Sequence, residues 1–263
     1  MPLITVASPK GGVGKTTLTA SLAYALQRMG HPVILIDFDV QNALRLHFAS
    51  PLGYSQGFVE RALTSTNWQQ LLVAAPDGVQ LLPYGRVDSA TRLAFESRVL
   101  MDPNFLSDGL SDLLSLPNVI VLADTPPGPS SVLTALVRQA DLCLTVLLAD
   151  AASMVLLPEV ESKAFFNVTS GTMCPVRLVL NQVDRRKRLN RDVTAFLQTR
   201  CGETLLGMIH RDESLPEALA SQQSIFSFDA ASAAAHDLDA LAHRLLAELE
   251  ADVRINSRQR QYS

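Results

Sequence analysis

The fold of this chain is decided by one stretch of sequence, Ser8-Pro9-Lys10-Gly11-Gly12-Val13-Gly14-Lys15-Thr16-Thr17. It follows an apolar run, Leu3–Ser8, that predicts a buried strand, and it opens a run, Thr16–Met29, with helical periodicity. A glycine-rich segment between a strand and a helix, ending in lysine and a hydroxyl residue, is the context in which backbone amides bind phosphate. The stretch therefore predicts a nucleotide-binding P-loop.

Each residue type in this loop has a chemical reason to be there. Glycines let the backbone turn its N–H groups toward phosphate oxygens, and the following helix N-terminus favours negative charge. Lys15 can reach the terminal phosphates, and the Thr16 hydroxyl can coordinate magnesium. Pro9 stands where the standard pattern has glycine, and a glycine-rich turn that binds nothing is the alternative interpretation. We expect the loop to bind ATP or ADP with Mg²⁺. The residues predicted to contact them are Gly11, Gly12, Val13, Gly14, Lys15, Thr16 and Thr17.

Composition narrows the class of protein. The chain has 263 residues, a formal charge of −4 and 48% hydrophobic residues, which suits one sizeable core. Its three cysteines follow no zinc or disulfide spacing, which favours a reducing, cytoplasmic compartment. No apolar run reaches the roughly 18 residues that a membrane span needs, and the mild negative charge does not indicate nucleic-acid binding.

Short apolar runs alternate with helical patterns along the chain, which predicts βαβ units and a parallel sheet. We predict an α/β fold with one doubly wound, mainly parallel sheet flanked by helices. It covers a single domain at residues 1–253, followed by a flexible polar tail at 254–263. The predicted strands are Leu3–Ser8, Val33–Asp37, Val79–Leu82, Val119–Asp124, Leu142–Leu148, Val176–Leu180 and Thr204–Ile209. The predicted helices are Thr16–Met29, Tyr54–Leu63, Phe105–Ser115, Ser131–Gln139, Met154–Phe166, Asn190–Arg200, Ser214–Ala220 and Ala230–Val253.

Polar side chains follow three of the predicted strands. Asp37 and Asp39 come at the end of one strand, Asp124 ends another, and Asn181 follows a third. Ligands of such sheets bind at the carboxyl ends of strands, and a buried carboxylate there needs a partner such as hydrated magnesium. The amide of Asn181 can donate and accept at once, which suits a base edge. For each of these residues, a turn or capping role is the alternative.

The P-loop together with these strand ends resembles the MinD/ParA family of deviant Walker A ATPases. The resemblance implies a P-loop NTPase that hydrolyses ATP as a homodimer, with Lys10 reaching across the dimer to the partner's phosphates. It implies that Lys10, Lys15 and Asp39 are catalytic and that Asp39 orients the attacking water. Thr16, Asp37 and Asp124 would then surround magnesium.

The same resemblance assigns the recognition of the base. Asn181 matches the family's adenine-reading asparagine, and Arg211 lies where a late loop flanks the base. This chain departs from the family in two places: Val40 stands where the family has proline, and His210 stands in the late loop where the family also has proline.

Three further stretches resemble the cellulose-biosynthesis (BcsQ) branch of that family. They lie at residues 42–48, at residues 81–85, and at residues 209–213 together with 217–220. This resemblance implies a cytoplasmic protein that assembles or positions the bacterial cellulose synthase complex. It would bind subunits of that complex and small accessory Bcs proteins, and would reach the inner membrane through them, because the sequence contains no membrane anchor of its own.

Two alternatives stay open from the sequence. One is a plasmid or chromosome partition ATPase that binds DNA nonspecifically through the basic cluster at residues 185–191, although acidic neighbours make DNA binding the weaker interpretation. The other is a nucleotide-stabilised scaffold that does not hydrolyse ATP. The leucine stripe of the last helix has an acidic opposite face, which favours packing on the domain over membrane binding.

Overall fold

The computed structural model describes residues 1–48, 55–168 and 171–261, with side chains described up to residue 251. The strands in these ranges are β1 (Leu3–Ala7), β2 (Val33–Asp37), β3 (Val73–Ala74), β4 (Gln80–Leu82), β5 (Ile120–Asp124), β6 (Leu142–Leu148), β7 (Val176–Val183) and β8 (Leu205–His210). The α-helices are α1 (Lys15–Arg28), α2 (Val59–Ala62), α3 (Ser89–Met101), α4 (Phe105–Ser115), α5 (Ser131–Leu136), α6 (Ala151–Glu161), α7 (Arg188–Cys201), α8 (Ser214–Ala220), α9 (Ile225–Phe228) and α10 (Ala233–Gln261).

The described strands form one sheet in the order β3-β4-β2-β5-β1-β6-β7-β8. All neighbouring pairs are parallel except β3 with β4 at one edge. The predicted α/β class with a doubly wound, mainly parallel sheet is therefore confirmed. β1 lies in the middle, between β5 and β6, so the loop that follows β1 leaves the sheet at its centre.

Both faces of the sheet are covered by helices. On one face, Ile4 and Val6 of β1 belong to a core that also contains residues of α1 and α10. Leu3 of the same strand belongs to a second core, formed with residues of α3 and α4. Because alternate residues of a strand point to opposite faces, two covered faces demand an apolar residue at nearly every strand position. This explains the continuous apolar runs in the sequence.

The predicted helix at Tyr54–Leu63 is largely wrong. Tyr54 lies outside the described residues, and the α-helix here covers only Val59–Ala62. Residues 55–58 instead run beside the end of β4: the Arg86 amide donates to the Ser55 carbonyl at 2.8 Å, and a Cβ on Gly57 would lie 2.2 Å from the Gly85 Cα. A close backbone pairing with a distant segment therefore replaces the first turns of the helix.

Helix α3 was not predicted from the sequence. Asp88 caps it, since its carboxylate accepts the Thr91 amide at 2.7 Å, and Phe95 and Val99 are its buried residues. An aspartate immediately before the first turn of a potential helix is a usable N-cap signal. The helix buries few residues, so its apolar periodicity is weak.

The last helix extends beyond its predicted end. The sequence predicts a helix that ends at Val253, whereas α10 continues to Gln261. The segment after Val253 contains no glycine or proline and is rich in residues that tolerate a helix. The division into a domain at 1–253 and a flexible tail at 254–263 stays a prediction. No helix among the described residues combines the length and the apolar character needed to cross a membrane.

Candidate nucleotide site

The loop between β1 and α1 has the backbone shape of a phosphate cradle. Gly12 and Gly14 adopt left-handed conformations, with φ of 75° and 80°, which residues with a Cβ rarely adopt. Gly14 immediately precedes Lys15, the first residue of α1, and the buried Val13 anchors the loop in the core. The loop thus presents the N-terminus of a 14-residue helix, where N–H groups and the helix dipole favour an anion.

Asp124 gathers the loop's polar side chains at the end of β5. Its carboxylate accepts from Lys15 Nζ at 2.6 Å, from Thr16 Oγ1 at 2.8 Å and from Thr19 Oγ1 at 3.2 Å. Asp124 is fully buried, and the Lys15 side chain is only 6% exposed. The structure therefore brings together Lys15, Thr16 and Asp124, as the sequence predicts.

Asp37 lies beside Asp124, because their strands β2 and β5 are neighbours and the two residues are paired in register. It is fully buried and accepts the backbone amides of Asp39 at 2.9 Å and Leu44 at 3.1 Å. Burial, and then the negative charge of Asp124, raise the pKa of Asp37 to about 8 against the opposing effect of these bonds and of Lys15. Lys15 alone therefore does not keep both neighbouring carboxylates ionised at neutral pH, and Asp37 favours its neutral, protonated form until a further cation binds.

The donor set at this point fits magnesium. Asp37, Asp124 and the Thr16 hydroxyl supply only oxygen, which hard cations prefer. Among the described residues, no group of three or more His, Cys, Asp and Glu side chains could hold a metal alone. Magnesium usually takes one or two carboxylates and completes its shell with water and substrate phosphates. The arrangement thus suits magnesium only together with a phosphate ligand.

Asp39 lies on the loop that follows β2, next to this cluster. Its amide donates to Asp37, one of its carboxylate oxygens accepts the Gln41 amide at 2.9 Å, and the residue is 8% exposed. The Phe38 amide between the two aspartates donates to the Asp124 carbonyl at 2.8 Å. These bonds connect the loop after β2 to the end of β5.

Lys10 points away from the cluster and pairs with Asp150, at 2.5 Å between Nζ and Oδ2. Asp150 caps α6 by accepting the Ser153 amide at 2.8 Å. Its burial opposes ionisation, but the bonds from Lys10 and Ser153 outweigh that effect and lower the pKa of Asp150. Sequence reasoning missed Asp150, although an aspartate between a predicted strand and a predicted helix is a capping signal.

A cavity of about 310 Å³ adjoins the loop on the side of β7 and β8. Both residues predicted to contact the base line it. Asn181 is anchored by a bond from its Nδ2 to the Val13 carbonyl at 2.8 Å, and Arg211 pairs with Glu213 at 3.0 Å. Six of the lining residues are Gly14, Thr17, Asn181, Gln182, His210 and Arg211.

A backbone irregularity shapes this cavity. The pairing of β7 with β8 shifts register between Leu180 and Val183, and Gln182 takes a left-handed φ of 54°. Bulges of this kind redirect side chains next to binding sites. Gln182 and His210, both lining residues, were not predicted as ligands, because neither the bulge nor the neighbourhood of β7 and β8 is visible in a local motif.

Comparison with known proteins identifies the family. The family model described as cellulose biosynthesis protein BcsQ matches residues 1–246 of this chain. The chain belongs to the BcsQ family. This confirms the resemblance drawn from the sequence.

Among the BcsQ-family relatives, the cellulose biosynthesis protein BcsQ of Salmonella typhimurium is 26% identical over 252 residues, covering 92% of this chain and 93% of that protein. The chromosome-partitioning ATPase Soj of Thermus thermophilus is 30% identical over 264 residues, covering 94% and 96%. The structure of the septum site-determining protein MinD of Pyrococcus horikoshii, complexed with Mg-ADP, aligns with a TM-score of 0.71 at 20% identity, covering 93% and 95%. The BcsQ-family chain thus shares the fold of MinD/ParA P-loop ATPases.

Proposed function

We propose that this chain binds and hydrolyses ATP with magnesium, and that ATP binding joins two copies into a dimer. The observation that carries this proposal is the convergence of buried Lys15 and Thr16 on Asp124, with Asp37 beside it and a glycine loop above. Two neighbouring buried carboxylates are both ionised only when more positive charge is present than Lys15 supplies. Magnesium with a triphosphate supplies the missing positive charge and the missing phosphate partner at once.

Each loop residue would then have one role. The backbone amides of residues 11–17 would hold the phosphates, and Lys15 would exchange its bond with Asp124 for the terminal phosphates. Thr16, Asp37 and Asp124 would hold magnesium, directly or through water. Bound magnesium would neutralise charge on the phosphates.

Hydrolysis would depend on Asp39 and Lys10. Asp39 is fixed at one carboxylate oxygen by Gln41 and would orient or activate the attacking water. Lys10 is 22% exposed and is held by a more accessible partner, Asp150, at 36%. On dimerisation it would leave Asp150 and contribute its charge to the second copy's phosphates, where a cation stabilises the transition state.

The base would occupy the cavity beside β7 and β8. Asn181 would read the adenine edge, and Arg211 would stack on the ring from the loop after β8. Both residues line the same cavity as Gly14 and Thr17, so phosphates and base would occupy adjoining parts of one site.

In the cell, this switch would serve cellulose synthesis. The family model and the Salmonella relative both carry a cellulose-biosynthesis description, which supports this role. We propose that the ATP-bound dimer assembles or positions the cellulose synthase complex through its subunits and small accessory Bcs proteins. The protein would be cytoplasmic and would reach the inner membrane through those partners.

A second candidate is DNA partition, which the 30% identity to the Soj ATPase favours. The basic cluster at residues 185–191 is exposed, as that function requires. However, Arg186 and Lys187 both pair with Asp184, and Arg188 lies 3.6 Å from Asp192. Paired cations neutralise fewer phosphates, which makes this surface a weak DNA-binding site. A scaffold without turnover is the third candidate.

The first experiment is the molar mass in solution with Mg-ATP, with Mg-ADP and without nucleotide, on an Asp39→Ala variant that slows turnover. We expect a dimer with ATP alone. Lys10→Ala should keep nucleotide binding and lose the dimer, whereas Lys163→Ala, a change at an exposed lysine in the turn that follows α6, should keep both.

Each candidate makes its own prediction in this assay. A mass that is independent of nucleotide would overturn the switch and favour the scaffold. Binding of the ATP-bound sample to duplex DNA, weakening steeply as salt is raised, would favour partition over cellulose synthesis.

A further inference from the structure

A histidine and an aspartate form an ordered pair at the wall of the base cavity. His210 ends β8 and lines the cavity, and Asp237 approaches it from α10. One carboxylate oxygen, Asp237 Oδ2, accepts the backbone N–H of His210 at 2.8 Å and also lies 2.8 Å from its Nδ1. The two bonds hold both the backbone and the ring of His210 in one orientation.

This pairing decides which ring nitrogen carries the proton. An ionised carboxylate only accepts hydrogen bonds, so Nδ1 must be the donor to Asp237. In the neutral imidazole the other nitrogen, Nε2, then has a lone pair and acts only as an acceptor. The His210 side chain is 26% exposed, which leaves it accessible to a ligand in the cavity.

A second acceptor in the cavity is also fixed in direction. Asn181 donates through Nδ2 to the Val13 carbonyl, so its Oδ1 is the atom left to accept. The Arg211 guanidinium, the strongest nearby donor, is occupied through Nε and an NH2 group by Glu213. The oriented side chains of the wall therefore offer acceptors to a bound base.

We propose that His210, oriented by Asp237, selects adenine over guanine by accepting a hydrogen bond from the 6-amino group. This inference rests on the proposed nucleotide function. Adenine carries a donor at position 6, whereas guanine carries a carbonyl oxygen there, which would face the lone pair of Nε2. A site built around a hydrogen-bond acceptor discriminates strongly against a ligand that presents another acceptor, because both groups then lose their partners.

The test is the ratio of GTP to ATP dissociation constants, measured by calorimetry with magnesium at mildly alkaline pH. His210→Ala should lower this ratio about tenfold, mainly by weakening ATP. His210→Gln, which keeps the volume but can present a donor or an acceptor, should lower the ratio too. The glutamine variant replaces the alanine variant in this test if the alanine variant fails to fold, as judged by its melting temperature.

Asp237→Ala is the sharper variant. Alanine removes the single oxygen that accepts both the His210 backbone amide and Nδ1–H, so the ring proton is free to move to Nε2. His210 then no longer presents a fixed acceptor, so the GTP-to-ATP ratio should fall as it does in His210→Gln. A purely structural role for Asp237 would weaken both nucleotides alike and leave the ratio unchanged.

The same helix provides matched controls. His243 and Asp239 form another histidine–aspartate pair, 3.6 Å apart and far more exposed, at 65% and 48%. His243→Ala and Asp239→Ala should leave the ratio unchanged.

Two results would overturn the proposal and point to different failures. Wild-type ATP binding with a GTP-to-ATP ratio that does not respond to the His210 and Asp237 variants would overturn the base-reading role alone. A wild-type protein that binds no nucleotide would overturn both this inference and the proposed function.

Discussion

The two ends of the candidate nucleotide site are built in different ways. The phosphate end consists of one contiguous loop, residues 8–17, and the ends of two adjacent strands, and its carboxylates are buried. The base end is assembled from three distant segments near residues 14, 181 and 210, and its side chains range from the buried Asn181 to His210, which is 26% exposed. The candidate phosphate site is therefore encoded locally, whereas the candidate base site arises only once the topology places β7 beside β8.

The largest expected effect on nucleotide binding comes from a substitution in the phosphate end of the site. Lys15→Ala should weaken ATP and GTP alike by more than about 100-fold, because a buried cation that contacts phosphate is indifferent to the base. Calorimetry with both nucleotides measures this, with Lys163→Ala as the control. An equal loss of affinity for both nucleotides would confirm that the phosphate end binds without regard to the base, and a loss confined to ATP would contradict this.

The junction of the two ends is Gly14. A Cβ there would lie 2.6 Å from Asn181 Nδ2, and its φ is +80°. Gly30 is also left-handed, at +87°, but a Cβ on it meets nothing within 4 Å. Gly14→Ala should therefore lose about 2 kcal/mol of unfolding free energy, about 1 kcal/mol more than Gly30→Ala. Because both glycines are left-handed, the difference between the two variants measures the clash with Asn181.

Denaturant unfolding of the two glycine variants gives this difference. Gly14→Ala should also weaken nucleotide binding, since the displaced Asn181 belongs to the base end. Equal losses of stability in the two variants would show that the Asn181 side chain moves away from the added Cβ with no loss of unfolding free energy.

The smallest expected effect is a dependence on acid at the phosphate end. Burial lowers the pKa of His47 to about 4, although the charge of Asp124 raises it. Unfolding returns this pKa toward about 6.5, so the unfolded chain binds more protons between these values. Stability should thus fall as pH drops from about 6.5 to about 4, by about 1 kcal/mol since the side chain is not wholly buried.

The replacement His47→Gln should flatten this part of the stability curve, and the exposed His243→Gln should not. Chemical denaturation at a series of pH values measures both variants. An unchanged slope in His47→Gln would assign the acid sensitivity to other groups.

The limits of sequence reasoning follow the same division. Lys15, Thr16, Asp37 and Asp124 were predicted to lie together, because a P-loop and the ends of parallel strands meet at one edge. The alternation of strands and helices likewise predicted the sheet. These features depend on local motifs and on general rules of chain connection.

What the sequence did not predict depends on contacts between distant segments. The non-helical backbone at residues 55–57 forms against the distant segment at residues 83–86, and α3 has too weak a periodicity to be recognised. Asp150 and Asp237 gain their roles from partners 140 and 27 residues away. No local propensity contains this information.

The central place of β1 also has a consequence for biosynthesis. β1 is synthesised well before its neighbours β5 and β6, which begin at residues 120 and 142. Lys15, at the end of the loop after β1, meets Asp124 only after the chain between them, a separation of 109 residues, has been made. Such non-local pairing slows folding. A nascent chain therefore completes its nucleotide cradle late, so nucleotide binding reports that the central sheet has closed.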